Sequence, residues 1–172
     1  RLYVAITMDP RAGWTDTVDL DTTTRPQRYW ESTDPTIISA ASKLKTPREI
    51  YMYVVDTLAY DYKRINQNPI RKGARAALSS PDKSICMEFT DLFIAIARAA
   101  GIPAREVIGY AYTTNAKLRP LSLVTDVLHS WPEYYDTELG RWIPVDPTWA
   151  DTTGGIDYFS KLDFNHIAFA IH

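Results

Sequence analysis

At Gly101-Ile102-Pro103 the hydrophobic period of this chain changes, and that change limits the folds open to it. Upstream, Ile85, Phe89, Leu92, Ile96 and Ala99 recur at helical spacing, with Ser84 placed to cap the start and Gly101 and Pro103 to end it. Arg98 lies in the last turn of this helix, where a cation suits the dipole. Downstream, residues 106–112, 127–136 and 141–146 are short β-branched and aromatic runs separated by turn residues. Helices first and antiparallel strands afterwards is an α+β plan, and 172 residues suffice for one domain with a real core.

The other elements fit this plan. Asp34-Pro35 reads as N-cap and first helical residue, leading into Ile37, Ala41 and Leu44. Thr46-Pro47-Arg48-Glu49 is a capping box, and the helix it opens, carrying Ile50, Tyr53, Val54, Thr57 and Leu58, is expected to end near Asp61. Residues 62–83 are polar and broken, with room for a short helix over residues 74–78. Residues 2–7 read as a strand followed by a long loop, so residues 1–35 are taken as a separate N-terminal segment, which could equally be the exit of a preceding domain, and 36–172 as the main domain. At the other end, Ile167, Phe169 and Ile171 alternate with His166, Ala168 and Ala170, a last strand with one buried face; His166 reads as the head of it.

Composition excludes several classes of function. Nineteen basic and 21 acidic residues nearly cancel, for a net charge of -2, so no single-signed face is expected to attract nucleic acid or an anionic membrane. No apolar run approaches the ~20 residues that cross a bilayer, so this segment is not expected to insert in a membrane. One cysteine rules out an internal disulfide framework and a cysteine-rich zinc site, and three histidines without a metal-binding spacing favour a metal-free mechanism without a cofactor. The first residue is Arg1 and the last lies just after an apolar alternation, which suggests part of a larger polypeptide.

That single cysteine, Cys86, falls at the start of the strongest helix, as its second residue, where unpaired N–H groups and the positive end of the dipole favour a thiolate. Read alone, it is more often a small buried hydrophobe. Its candidate partners lie on one hairpin. Residues 127–136 and 141–146 flank Thr137-Glu138-Leu139-Gly140; if Asp136 and Arg141 close that loop, Asp146 falls opposite Trp131 and diagonal to His129, on the same face. A tighter turn puts it directly opposite His129, and an odd-length loop would separate the two. A carboxylate beside an imidazole orients it and stabilises its protonated form, as the third member of a nucleophilic triad does. Cys86, His129 and Asp146 are therefore the candidate catalytic triad of a thiol-dependent acyl-transfer enzyme.

Three blocks resemble the transglutaminase-like (transglutaminase-core) superfamily within the wider papain-like group. They are Cys86-Met87-Glu88-Phe89-Thr90-Asp91-Leu92-Phe93 with the Arg98–Arg105 segment, His129-Ser130-Trp131-Pro132-Glu133-Tyr134-Tyr135, and Trp142-Ile143-Pro144-Val145-Asp146-Pro147-Thr148-Trp149. The resemblance implies a papain-like fold, with the nucleophile helix packed on an antiparallel sheet. It also implies Cys86 attacking a carboxamide or peptide carbonyl, His129 taking the thiol proton and later protonating the leaving amine, Asp146 orienting His129, and a thioester intermediate. Water resolves that thioester in a peptidase or amidase, and a primary amine resolves it in a crosslinking protein-glutamine acyltransferase.

The chain has Ser84-Ile85 where the family often has Gly or Trp before the cysteine. The Cys86 backbone N–H is one natural oxyanion donor, and Tyr60 is the first candidate for a second, ahead of Tyr62 and Gln67. Trp131 is the candidate substrate-binding residue, with Trp142 and Trp149 as further aromatic candidates, although strand aromatics are commonly core. Glu88 and Asp91 read as a solvated helix face. No calcium loop is apparent. Hydrolysis is preferred because water needs no dedicated acceptor pocket; amine transfer is the alternative, and a non-catalytic protein-binding module the third reading. The expected partner is a protein or peptide substrate, and the resemblance implies a secreted or cell-envelope location.

Overall fold

The computed structural model describes residues 19–64, 69–111, 128–159, 162 and 166–172. The strand expected over residues 2–7 and the loop over residues 113–126 lie outside these, as does Gln67. The helices are α1 (Pro35–Ala41), α2 (Pro47–Thr57), α3 (Ala74–Ser79), α4 (Cys86–Ala99) and α5 (Pro147–Thr152). The strands are β1 (Ala104–Ala111), β2 (Leu128–Asp136), β3 (Arg141–Pro144) and β4 (His166–Ile171). They form one antiparallel sheet in the order β3-β2-β1-β4, against which α4 packs, so the architecture is α+β as expected.

Local chemistry explains most of the boundaries. Asp34 caps α1 by accepting the Thr36 N–H at 2.8 Å. Thr46 and Glu49 form the reciprocal capping box of α2, in which Thr46 Oγ1 accepts the Glu49 N–H and Glu49 Oε2 accepts the Thr46 N–H. That helix stops at Thr57, short of Asp61, because the chain from Leu58 is extended and Tyr60 pairs with Ser84 as a parallel bridge. The α4 helix closes in a Schellman turn. Gly101, at φ +80°, donates to Arg98 O and Ile102 to Ala97 O, at 3.0 and 2.8 Å.

The start of α4 differs from expectation. Ser84 is occupied in the bridge to Tyr60, so Ile85 is the N-cap and Cys86 the first helical residue rather than the second. With no capping side chain at Ile85, Glu88 supplies the fastening: its Oε2 accepts the Ile85 N–H at 3.1 Å.

Glu88 and Asp91 are not a solvated face. Every residue from Glu88 to Arg98 is buried, because α4 has α1, α2, α3 and α5 around it as well as the sheet. A helix enclosed on all sides must pair its charges. Glu88 accepts from Arg64 Nη1 at 2.8 Å and the Lys72 N–H at 3.1 Å. Asp91 accepts from Trp30 Nε1 at 2.8 Å and from the Arg71 guanidinium, which also reaches Glu106 at 2.9 Å.

The hairpin closes as the even-length loop requires, with Asp136 opposite Arg141 and Glu133 opposite Pro144. The β3 strand ends there rather than at residue 146. Asp146-Pro147 repeats the Asp-Pro start of α1, and Asp146, expected at a strand end, is the N-cap of the short helix α5. The last strand also differs: in β4, His166 is buried while Phe169 is 63% exposed, so the alternation Ile167, Phe169, Ile171 does not mark a core face.

Candidate active site

His129 enters near the start of β2, and Asp146 arrives from the α5 N-terminus. The backbone carries Asp146 back towards His129 because Val145 still donates to Pro132 O at 3.1 Å and Asp146 N–H donates to Tyr158 O at 3.1 Å. His129 Nε2 lies 2.8 Å from Asp146 Oδ2, and both side chains are buried. The other oxygen, Oδ1, accepts the Trp149 N–H at 2.9 Å, so the capping bond of α5 also anchors the carboxylate through that oxygen.

Electrostatics at this pair are strong. Burial pulls the His129 imidazole down, but the charge of Asp146, its hydrogen bond, and a hydrogen bond with Cys86 and the charge there outweigh it, and His129 is raised to about 10. Burial pushes Asp146 up, yet His129 and then His166 win, and its carboxyl is held well below the ordinary carboxylate range. The same negative charge adds to burial in raising the Tyr51 phenol.

Cys86 is half-buried at the first position of α4. With His129 Nε2 turned to Asp146, Nδ1 is the ring nitrogen that remains for the thiol. Helix and strand are tied near this point: Thr90, one turn after Cys86, has Oγ1 3.4 Å from Oγ of Ser130, the neighbour of His129.

The other candidates take different places. Tyr60 is half-buried, bridged to Ser84 two residues before Cys86, with its ring 5.1 Å from Tyr62 and 6.3 Å from Phe89 in the first turns of α4. Trp131 is buried, stacked 5.9 Å from His129, as a wall behind the imidazole. Trp149 packs behind the site and Trp142 lies under Arg105, 4.0 Å from its ring centroid.

One residue of the site has almost no signature in the sequence. His166 places Nε2 2.9 Å from the same Asp146 Oδ2 that meets His129, so it does more than head β4. Its only sequence signal is a polar residue opening an otherwise apolar strand. Among the described residues His129, Asp146 and His166 form the one cluster able to offer three metal-ligand atoms, within 4.8 Å of one another. At 2.8 and 2.9 Å, however, both ring nitrogens are at hydrogen-bond distance from one carboxylate oxygen, so these atoms are spent on each other.

The profile of the transglutaminase-like superfamily matches residues 32–147, more than half of the chain and inclusive of Cys86, His129 and Asp146. The chain belongs to this superfamily. A protein-glutamine gamma-glutamyltransferase of Pseudomonas aeruginosa is 38% identical over 68 residues, which is 37% of this chain and 10% of that protein. Among solved structures, a candidate cysteine protease from Cytophaga hutchinsonii superposes with a TM-score of 0.60 at 21% identity, covering 92% of this chain and 55% of the other. The periplasmic domain of TgpA from Pseudomonas aeruginosa superposes with a TM-score of 0.52 at 20% identity, covering 79% and 50%. These superpositions establish the transglutaminase-like cysteine-protease fold; the chain spans about half the length of those structures and a tenth of the curated relative. Among the described residues no helix is long and apolar enough to cross a membrane.

Proposed function

We propose that this transglutaminase-like domain is a cysteine-dependent acyl-transfer enzyme acting on peptide or glutamine-type amides, with Cys86 as nucleophile, His129 as acid and base, and Asp146 as its orienting partner. The observation that carries this reading is the buried His129–Asp146 contact of 2.8 Å, with Cys86 half-buried at the first position of α4 and among the groups that raise the same imidazole.

In the first half-reaction Cys86 Sγ, as thiolate, bonds to the amide carbon. The carbonyl oxygen takes up negative charge, which the Cys86 N–H at the open end of α4 can receive, with Tyr60 as candidate second donor. His129 then gives its proton to the amine nitrogen, the C–N bond breaks, and a thioester on Cys86 remains. A nucleophile next attacks the thioester, His129 takes its proton, and the thiolate leaves. Asp146 stays ionised throughout and keeps His129 oriented.

Water is the acceptor we favour, since it needs no shaped pocket, and it makes the enzyme a peptidase or amidase on protein or peptide substrates. Amine transfer is the second reading, favoured by the relationship to the protein-glutamine gamma-glutamyltransferase. A cell-envelope location accords with the periplasmic domain among the structural neighbours. The two acceptors are separated by incubating the protein with glutamine-containing peptides, with and without a tagged primary amine, and weighing the products. Free acid or cleaved peptide in both incubations supports hydrolysis; incorporation of the tag replaces it with transfer; loss of neither product in Cys86→Ala would remove the thiol from the mechanism.

A further inference from the structure

His166 takes no part in the steps above, yet it is the second imidazole on the carboxylate that orients the first. Its side chain is 1% exposed, and Nε2 lies 2.9 Å from Asp146 Oδ2. An ionised carboxylate can only accept, so both His129 and His166 must present Nε2–H to that one oxygen. Oδ1 is meanwhile held by the Trp149 N–H at 2.9 Å. The His166 ring is itself walled in, 4.6 Å from Trp149 and edge-on to Trp131 at 5.1 Å, and β4 delivers its backbone opposite Ala111.

With Trp149 alone, the carboxylate would be anchored through one oxygen and free to turn about its terminal torsion, which is a soft one. A second donor on Oδ2 fixes its plane. We propose that His166 is a positioning residue of this site: its Nε2–H and the Trp149 N–H grip opposite oxygens of Asp146 and leave the carboxylate one orientation, the one in which Oδ2 meets His129. This rests on the triad reading. It is the same logic by which partners beyond the reacting groups fix the orientation of a ligand histidine. The titratable groups around this point are Cys86 from α4, His129 from β2, Asp146 at the head of α5, Tyr158 with its ring 6.3 Å from His166, and Tyr51 from α2, whose phenol accepts the Tyr158 N–H.

The test uses the whole 172-residue chain with nitrogen-15-labelled histidine, where three imidazoles report. In the wild type His166 should be the Nε2–H tautomer. His166→Phe keeps a flat ring but removes the donor. It should lower the titration midpoint of His129 by at least about one pH unit and slow iodoacetamide alkylation of Cys86 at pH 7 about tenfold. His166→Gln, which can return an N–H to the same place, should alkylate within about threefold of wild type.

A folded His166→Phe with wild-type midpoint and rate overturns the proposal, as does a glutamine variant no better than phenylalanine, which would mean packing alone. If His166→Phe fails to fold, the wild-type tautomer and the glutamine variant decide, and an unprotonated Nε2 in the wild type overturns it. His129→Ala separates the two levels. Slow alkylation there with an unaffected His166→Phe overturns the positioning role only, whereas unchanged alkylation in His129→Ala overturns the triad as well.

Discussion

Gly109 lies directly opposite His129 in the β1–β2 ladder, and its missing side chain is what lets the site close. A Cβ there would stand 2.0 Å from Ile167 O and 2.9 Å from the Trp131 ring. The first contact is with backbone and gives only if the β4 strand moves, and the β1–β4 register already shifts between Ile108 and Gly109. Gly109→Ala is expected to push β4 away, destabilising the domain by about 1–3 kcal/mol. Because β4 carries His166, Cys86 alkylation should slow as well. Urea unfolding and alkylation of the same sample check both.

In the proposed mechanism the Cys86 thiol depends on His129. Cys86→Ala should abolish iodoacetamide labelling, since the chain has one cysteine, together with all acyl transfer. His129→Ala should leave the label site present but slow it at least about tenfold near neutral pH, as the imidazole that supports the thiolate is gone. Normal turnover by either variant would exclude the triad.

Stability should follow the charged pair. His129 is raised to about 10, so its contribution is fully present below its unfolded value near 6.5 and disappears as pH rises towards 10. Over that interval the stabilisation from this group is expected to fall progressively. Asp146 is lowered, so its contribution is present above its unfolded value of 3.8 and is lost on acidification below it. Denaturant midpoints should be highest near pH 4–6.5 and fall on both sides, and His129→Gln should flatten the alkaline decline.

Glu88 fastens the helix of Cys86 from inside. It is fully buried and accepts from Arg64, the Lys72 N–H and the Ile85 N–H. Glu88→Ala removes the carboxylate partner of Arg64, which keeps its bonds to the Lys83 and Ile70 carbonyls, and leaves the Ile85 cap donor unpaired, and is expected to cost about 1–3 kcal/mol. Thermal unfolding measures this, and a near-neutral result would mean that α4 begins at Cys86 without its help.

What the sequence could reveal depended on how local each cause was. The Asp34-Pro35 start, the Thr46/Glu49 box and the Gly101 turn are written in adjacent residues, and all three are found. Hairpin parity also needed only a loop length, and Asp136 does face Arg141. Glu88 and Asp91 were misread because a stripe of apolar residues implies one buried face, whereas the packing of four other helices around α4 is a tertiary fact. Asp146 was read as a strand end because its hairpin role masked the Asp-Pro start of α5. His166 had no spacing to reveal it, since β4 pairs with β1 across 55 or more residues of chain and only that pairing brings it to Asp146.

The covalent step is the centre of the proposed mechanism, and intact-mass spectrometry tests it most directly. The protein is quenched during turnover of an activated acyl ester and weighed. One acyl group on Cys86 is expected in the wild type, none in Cys86→Ala, and much slower acylation in His129→Ala. An unmodified wild type, or equal acylation of Cys86→Ala, would contradict a thioester on this cysteine.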